Sequence, residues 1–294
     1  MSSVCLSLFS RVWNLRPPWQ NKPHKPQHPV FHIIFHAFGE VVLRLLRYVG
    51  QIAFLMVETF ESIRVAPLRW RLLLNQVAEI GFRSQLVVVV TGAFTGAVFT
   101  AQTYFQFHRL GMDSAVGAVV AVSLFRELGP VLTALMLSGR VGASIAAEIG
   151  TMKVTEQIEA LRALGVHPID YLIVPRVLAL LISTPLLVAE CIGLGIGAGY
   201  LVATEVLGVS RAYYVTNMLS FTTGRDIKMA LIKGTAFAAL IGFIACEEGL
   251  KTANGAAGVG RAPTQAVVIA SLVILISNFF LSFFLNIFFP AGTY

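Results

Sequence analysis

The chain has 294 residues, of which 56% are hydrophobic and 13% are charged, and its formal net charge is +7. Soluble globular proteins carry about 25% charged residues, so this composition excludes a soluble domain and indicates an integral membrane protein. The positive charge does not indicate a nucleic-acid-binding protein, because the basic residues cluster beside the first apolar segment and form no soluble domain.

The N-terminal region is predicted to stay on the cytoplasmic side of the membrane. Many Lys and Arg residues precede the first clear span, which places the N-terminus in the cytoplasm by the positive-inside rule. Residues 1–30 are proline-rich and are expected to be a flexible lead-in. Residues 31–83 are expected to form an amphipathic helix, from Phe31 to about Ile63, followed by an elbow. Charges at nearly every turn favour a helix that lies along the membrane surface over an additional span.

Residues 84–294 are predicted to form an all-α membrane domain with five spans, because five apolar regions reach the length of ~20 residues that a spanning helix needs. These regions are about 86–107, 115–150, 171–207, 229–248 and 266–290. Five spans and a cytoplasmic N-terminus put the C-terminus on the outer side. The second and third regions are longer than a ~30 Å hydrocarbon core requires. We therefore expect them to tilt, break or protrude, with Gly129-Pro130 and Pro185 as natural break points.

A short cytoplasmic helix of about 152–164 is predicted between the second and third spans. Its markers are Thr151 or Thr155 as a cap, Glu156 and Glu159 near its positive end, Arg162 near its negative end and Gly165 just beyond it. An ordinary connecting helix would show the same pattern. A polar helix in this position is nevertheless where a partner outside the membrane could act on the spans.

Charged residues occur inside the second and fourth predicted spans. Arg126 and Glu127 lie near mid-membrane, where a charge costs roughly 2.5–3.5 kcal/mol on insertion scales, so their presence is rarely accidental. Neighbouring residues of a helix do not face each other, and the two side chains therefore need separate partners. Lys233 is a candidate partner for Glu127. These charges either tie spans together or line a cavity for a polar or amphipathic substrate.

The motifs of common enzymes and nucleotide-binding proteins are missing. The sequence contains no Gly-x-x-x-x-Gly-Lys-[Ser/Thr] phosphate-binding loop, so the chain is not expected to bind ATP in the usual way. It also lacks His-Glu-x-x-His, Cys-x-x-Cys and Gly-x-Ser-x-Gly motifs. Cys5, Cys191 and Cys246 are far apart, which disfavours a disulfide or a metal site. No catalytic residue and no metal site are therefore predicted.

Small residues within the spans predict close helix packing. Gly92 and Gly96 form one Gly-x-x-x-Gly pattern, and two overlapping copies run from Gly193 to Gly199. Such patterns let two helix backbones approach each other. They are common in membrane helices, so packing within one subunit is favoured over a contact between subunits.

Several motifs occur in a fixed order along the chain. They are Glu79-Ile-Gly81, Thr91-Gly-Ala-Phe-Thr-Gly96 through Gln102, Leu124-Phe-Arg-Glu-Leu-Gly-Pro130, Gly139-Arg-Val-Gly142, Ala147-Glu-Ile-Gly150, Met152-Lys-Val-Thr-Glu-Gln157, Pro175-Arg176 and Gly255-Ala-Ala-Gly-Val-Gly-Arg-Ala-Pro-Thr264. Together they resemble the MlaE/YrbE family of ABC-transporter permeases over about residues 75–290. Matches over so much of the chain are far more specific than any single motif.

The resemblance implies the permease subunit of a lipid transporter. Such a subunit moves phospholipids between the bacterial inner (cytoplasmic) membrane and a periplasmic MCE-domain lipid-binding protein. The resemblance further implies a homodimer of five-span subunits and a separate cytoplasmic ABC ATPase that binds the ATP, with no cofactor on this chain. It leaves an accessory cytoplasmic subunit open. The short helix with Thr155, Glu156, Glu159 and Arg162 would then be the coupling helix that docks into the ATPase.

The resemblance also implies a lipid cavity at the dimer interface. The family's cavity carries polar residues at positions matching Gln102, Arg126, Glu127 and Lys233. Some members carry an acidic residue in the last span, where this sequence has Asn278. That departure leaves the lipid preference of this chain open.

Two other functions are compatible with the residues alone. An ion-coupled secondary transporter would use Glu127, Glu190 and Lys233 as a proton or ion relay. However, the sequence shows no internal repeat of the kind that such transporters often have. A non-transporting membrane scaffold is the other alternative, and it leaves the mid-membrane charges unexplained.

Overall fold

The computed structural model describes residues 29–65, 69–253 and 255–288. These ranges contain helices and no β-strand, which confirms the predicted all-α class. Five helical stretches are long and apolar enough to cross a membrane, as predicted. They are called spans 1 to 5 here and comprise Trp70–His108, Asp113–Val154, Ile169–Val206, Gly224–Leu250 and Gly255–Phe288.

The chain divides into two compact units between Gly50 and Gln51. In the first unit the described residues belong to a single helix, which continues into the second unit and as a whole comprises Pro29–Val65. It begins at Pro29 and not at the predicted Phe31, because proline is well tolerated in the first turn of a helix, where its missing N–H group has no partner to lose. Residues 1–28, which include most of the predicted lead-in, lie outside the described residues.

In the second unit the last turns of this helix pack against the spans. Leu55 is buried in the main hydrophobic core. The hydroxyl group of Ser62 donates a hydrogen bond to the carboxylate of Asp170 at the start of span 3. The predicted location of this helix along the membrane surface stays a prediction.

Spans 2 and 3 contain several wide π-helical turns. Span 2 begins with the 3-10 turn Asp113–Ala115 and continues as the α-helices Val116–Ser123, Gly129–Leu137 and Ala143–Val154, which are joined by the π turns Leu124–Leu128 and Ser138–Gly142. Span 3 consists of the π turn Ile169–Ile173, the α-helix Val174–Leu201 and the π turn Val202–Val206. The predicted break at Gly129-Pro130 coincides with the end of a π turn. At Pro185, in contrast, the α-helix is not interrupted.

Span 1 approaches span 3 closely because glycines lie at the contact. A Cβ atom added to Gly96 would lie 2.1 Å from the carbonyl oxygen of Gly195, and one added to Gly92 would lie 2.7 Å from that of Cys191. Around Gly193 and Gly197, by contrast, an added Cβ atom would meet nothing within 4 Å. The prediction that these motifs serve packing within one subunit is therefore confirmed for the face that carries Gly92, Gly96 and Gly195.

The helix between spans 2 and 3, called the connecting helix, is Gln157–Ala163 and is shorter than predicted. The α-helix of span 2 continues to Val154, so residues 152–154 belong to the span. Neither predicted threonine caps the connecting helix. The hydroxyl group of Thr155 donates to the carbonyl oxygen of Thr151 at 2.8 Å, and the residue that precedes the helix is Glu156, with a left-handed φ of 60°.

The connecting helix ends as predicted at Gly165. This glycine has a φ of +74°, which costs it little because it has no Cβ atom. Its N–H group donates to the carbonyl oxygen of Arg162 at 3.0 Å, and the N–H group of Val166 donates to that of Leu161 at 2.9 Å. These two bonds form a Schellman motif, which satisfies carbonyl groups at the helix end.

A further helix, Arg211–Phe221, lies between spans 3 and 4 and was not predicted. Tyr214 anchors it, with only 1% of the residue exposed. The Tyr214 ring packs edge-on against Tyr200 of span 3, with 5.8 Å between ring centroids, and burial raises the pKa of the Tyr214 hydroxyl group. The end of the bundle that carries this helix is called the short-helix end, and the opposite end, which carries the connecting helix, is called the connecting-helix end.

Candidate functional site

Lys233 of span 4 is wholly buried, with 0% of its side chain exposed. Its ammonium nitrogen lies 3.0 Å from Oε1 of Glu127, 2.7 Å from Oγ of Ser282 and 2.5 Å from the carbonyl oxygen of Arg126. An ammonium group has three N–H donors, so each donor has an acceptor. This complete set of bonds offsets the cost of removing the charge from water.

Pro130 removes one possible donor to the carbonyl oxygen of Arg126. In an α-helix this oxygen would accept a hydrogen bond from the N–H group four residues later, which proline lacks. An unpaired carbonyl group in hydrocarbon costs several kcal/mol. The ammonium group of Lys233 donates to this oxygen and so replaces the N–H group that Pro130 lacks.

Glu127 joins span 2 to span 5. Its Oε2 atom accepts a hydrogen bond from Nδ2 of Asn278 at 2.8 Å, and its Oε1 atom lies 2.8 Å from Oγ of Ser282. The Glu127 side chain is nevertheless 45% exposed. One side of this carboxylate is thus fixed by spans 4 and 5, while the other side opens away from the bundle.

Arg126 finds a separate partner, as the sequence predicted. Its Nε atom donates to Oδ1 of Asp226 at 2.7 Å, and the Asp226 side chain is 0% exposed. The Oδ2 atom of Asp226 accepts hydrogen bonds from both the backbone N–H and the hydroxyl group of Thr223, each at 2.9 Å. Asp226 and Thr223 form the capping box at the start of span 4. The same carboxylate therefore begins the helix and holds the arginine.

We call Arg126, Glu127, Asp226, Lys233, Asn278 and Ser282 the charged cluster. It contains two cations and two anions, so its formal charge is balanced. The Arg126 side chain is 33% exposed, and it forms the accessible part of the cluster together with the open side of Glu127. A partly exposed guanidinium group and a partly exposed carboxylate at neighbouring positions of one span can bind the phosphate and the amine of a zwitterionic molecule.

The structure brings together four of the five predicted cavity residues, namely Arg126, Glu127, Lys233 and Asn278. Gln102 is exposed on span 1, and none of the hydrogen bonds found among the described residues joins it to the cluster. Sequence reasoning missed Asp226 and Ser282. The pattern Thr223-x-x-Asp226 before an apolar run is a recognisable start of a helix, whereas a single serine in a membrane helix carries no such signal.

The predicted coupling residues lie at the connecting-helix end. Thr155, Glu156, Glu159 and Arg162 are all exposed. Glu159 forms an ion pair with Lys153, the penultimate helical residue of span 2, and this hydrogen bond lowers the pKa of Glu159 below its ordinary value. At ~1.5 Å per residue, Thr155 lies about 42 Å from Glu127 along the helix axis of span 2. Any effect of this surface on the charged cluster must therefore be carried by span 2.

Comparison with known proteins agrees with this architecture. The family described as Permease MlaE matches residues 73–284. A probable ABC transporter permease protein of Rickettsia bellii is 42% identical over 249 residues, which are 85% of this chain and 96% of that protein. One from Synechocystis sp. is 40% identical over 229 residues, covering 78% and 87% of the two chains. The Arabidopsis thaliana protein TRIGALACTOSYLDIACYLGLYCEROL 1, chloroplastic, is 38% identical over 246 residues, covering 84% of this chain and 65% of its own.

Proposed function

This chain belongs to the MlaE family of permeases, and from that premise we propose that it is the membrane subunit of a phospholipid transporter. It is a multi-pass membrane protein of the ABC-transporter type and not an enzyme. An ABC permease works with an ATPase partner. The proposal adds the substrate, which is a phospholipid, and the second partner, which is a periplasmic MCE-domain lipid-binding protein.

The charged cluster is the observation that carries the proposal. It offers a partly exposed guanidinium group and a partly exposed carboxylate, which can bind the phosphate and the amine of a phospholipid headgroup. On span 5, next to Asn278 and Ser282, the side chains of Phe279 and Phe283 are exposed by 69% and 61%. Such a surface suits acyl chains. The relative from Arabidopsis thaliana, which is named after a diacylglycerol lipid, supports a lipid substrate.

The proposed active form is a homodimer. Span 5 is the most apolar of the five spans, and only 11% of its most apolar stretch is buried within the chain. The partly exposed side chain of Glu127 is linked to this span through Asn278 and Ser282. A second copy seated on this face would turn the open cluster into an enclosed cavity between two subunits.

The connecting-helix end is proposed to face the cytoplasm of a bacterium, with the permease in the inner membrane. Arg64, Arg69, Arg71 and Arg83 precede the charge-free part of span 1, which supports this orientation by the positive-inside rule. The N-terminus is then cytoplasmic and the C-terminus periplasmic. The partner ATPase, which binds the ATP, docks on Thr155, Glu156, Glu159 and Arg162, so this chain needs no cofactor.

The test is ATP-dependent transfer of labelled phospholipid by the permease reconstituted with its co-purified ATPase. Glu127→Ala removes the centre of the cluster, and the double variant Glu156→Lys with Glu159→Lys reverses the charge of the docking surface. Both are expected to abolish transfer and to leave the protein in the membrane. Arg211→Gln, at the short-helix end, is the matched control. Transfer at the wild-type rate by both variants would refute the assigned roles.

The same assay separates this function from an ion-coupled transporter. In such a transporter Glu127, Glu190 and Lys233 would form a relay. However, the carboxylate of Glu190 accepts a hydrogen bond from Gln85 of span 1 at 3.1 Å, and no hydrogen bond among the described residues joins it to Glu127 or Lys233. Lipid transfer driven by an ion gradient without the ATPase would favour the relay.

A further inference from the structure

A second polar cavity, of about 290 Å³, lies between spans 1 and 2. It is lined by the polar residues Gln76, Glu79, Arg83, Ser84, Arg140, Ser144 and Glu148. Arg140 follows Glu127 by 13 positions, or about 20 Å of helix, so this cavity is distinct from the charged cluster. Nothing in the proposed transport mechanism makes use of it.

The cavity holds polar groups that lack partners. Ser84 is 2% exposed, and its hydroxyl group forms no hydrogen bond with any described residue. The buried Nη1 atom of Arg140 is likewise without a hydrogen-bond partner there. An unsatisfied buried group costs about 1–3 kcal/mol, and more if it is charged. Two such groups on one cavity indicate a ligand with hydrogen-bond acceptors.

The nearby carboxylates are already paired with other cations. Glu79 pairs with Arg83 at 2.7 Å, and Glu148 pairs with Arg176 of span 3 at 3.1 Å. Within the described ranges no salt bridge includes Arg140. Its positive charge is therefore the uncompensated one in this cavity, and the expected ligand is an anion.

The position of the cavity along the spans indicates where the anion comes from. On span 1 Arg83 is the last charge before residues 84–107, which contain none, and on span 2 Arg140 follows the charge-free residues 128–139. Both helices thus change from apolar to charged at the cavity, as happens at the level of lipid headgroups. The apolar side chains of Phe82 and Leu86, beside Arg83, are exposed by 79% and 73%.

We propose that this cavity binds the phosphate group of an anionic phospholipid from the leaflet at the connecting-helix end, with Arg140 and Ser84 as its donors. Basic pockets between membrane helices bind anionic headgroups in this way. The volume is at the lower end of the ~300–1,000 Å³ that is usual for ligand pockets. It accommodates a headgroup, while the acyl chains lie along Phe82 and Leu86 outside it. The bound lipid stays in place and is not the transported molecule.

The test is binding of phosphatidylglycerol to the purified full-length protein, followed by native mass spectrometry without the ATPase. The background variant Glu127→Gln weakens the proposed transport site, so the result does not depend on transport. On this background Arg140→Gln is expected to weaken binding about tenfold, as the loss of one charge-assisted hydrogen bond predicts. Ser84→Ala should weaken it about threefold. Arg140→Lys should restore part of the binding, and Arg211→Gln should leave it unchanged.

Three outcomes would overturn the proposal. Equal binding by Arg140→Gln and its parent would remove the arginine from the site. If inorganic phosphate bound as tightly as phosphatidylglycerol and displaced it completely, the ligand would be a soluble anion. Dissociation of a dimer by Arg140→Gln with unchanged lipid binding would show that a carboxylate of a second copy pairs with this arginine. Circular dichroism and size-exclusion chromatography confirm that each variant is folded.

Discussion

Lys233 Nζ and Glu127 Oε1 lie 3.0 Å apart although the two residues are 106 positions apart in the sequence. The pair connects span 4 to span 2, and Ser282 connects both to span 5. The three helices thus meet at one buried lysine. Substitutions at this lysine should affect both the stability of the bundle and the binding of a headgroup.

The first prediction is a strong coupling between these two residues. Lys233→Met removes the cation that pairs with Glu127 and the ammonium donor to the carbonyl oxygen of Arg126. We expect it to lower the free energy of unfolding by about 3 kcal/mol, near the lower limit for breaking a buried pair because Glu127 is partly exposed. The double variant with Glu127→Gln should be more stable than the sum of the single effects implies, by about 1–3 kcal/mol. Thermal unfolding in detergent is measured for the wild type, the two single variants and the double variant. If the two single effects on stability simply added up, the coupling would be contradicted.

The second prediction separates the two roles of Asp226. Thr223→Ala removes the capping hydroxyl group and its bond to Asp226 but keeps the carboxylate that pairs with Arg126, and it should cost about 1 kcal/mol. Asp226→Ala removes the cap and also leaves Arg126 without its carboxylate, so it should cost about 2 kcal/mol more. Denaturant unfolding of both variants provides the comparison. Equal losses would mean that the ion pair with Arg126 adds nothing to stability.

The third prediction concerns the glycine contact between spans 1 and 3. Gly96→Ala places a Cβ atom 2.1 Å from the carbonyl oxygen of Gly195, so the helices must separate, and we expect a loss of several kcal/mol or failure to fold. Gly197→Ala is the matched control, because a Cβ atom there meets nothing within 4 Å. It should be neutral or stabilising by up to about 1 kcal/mol. Similar thermal stabilities for the two variants would refute this packing.

The fourth prediction is a pH dependence at the connecting helix. The hydrogen bond from Lys153 lowers the pKa of Glu159 below its ordinary value of 4.5. A carboxylate with a lowered pKa stabilises the folded state above its unfolded pKa, and that contribution disappears as the pH falls through the folded pKa. The contact between the connecting helix and Lys153 should therefore persist at neutral pH and be lost on acidification. Carbon-13 NMR of labelled glutamate should show Glu159 titrating below 4.5, and Lys153→Met should raise that value. An unchanged titration in the variant would exclude the ion pair in solution.

Much of the fold could be predicted from composition and from the positions of charges. Long apolar regions define the five spans because a membrane offers no other partner for backbone polar groups. The pairing of Glu127 with Lys233 was predictable for a related reason, since opposite charges inside apolar spans need each other. The glycine contact followed from the spacing of small residues. These features depend on physical requirements that a single sequence displays directly.

The features that were missed depend on local geometry. The π turns change the helix period by a small amount that no residue pattern indicates, and the one at Leu124–Leu128 contains both Arg126 and Glu127. Asp226 precedes residue 229, where the apolar pattern of span 4 begins, so that pattern does not indicate its role at the start of the helix. The prediction that Thr151 or Thr155 caps the connecting helix was wrong because span 2 remains helical through Val154 and the chain then turns at Glu156.

The glycine contact between spans 1 and 3 also determines which parts of the molecule can move. Backbones that touch along several turns cannot slide past each other without leaving an empty gap, so these two spans must travel as one rigid body. Span 5 buries the smallest share of its apolar surface within the chain, so the chain constrains its position less than that of spans 1 and 3. It carries Asn278 and Ser282, which hold Glu127 in place. A displacement of span 5 would therefore release the carboxylate, and the geometry of the charged cluster would change with the position of a single helix.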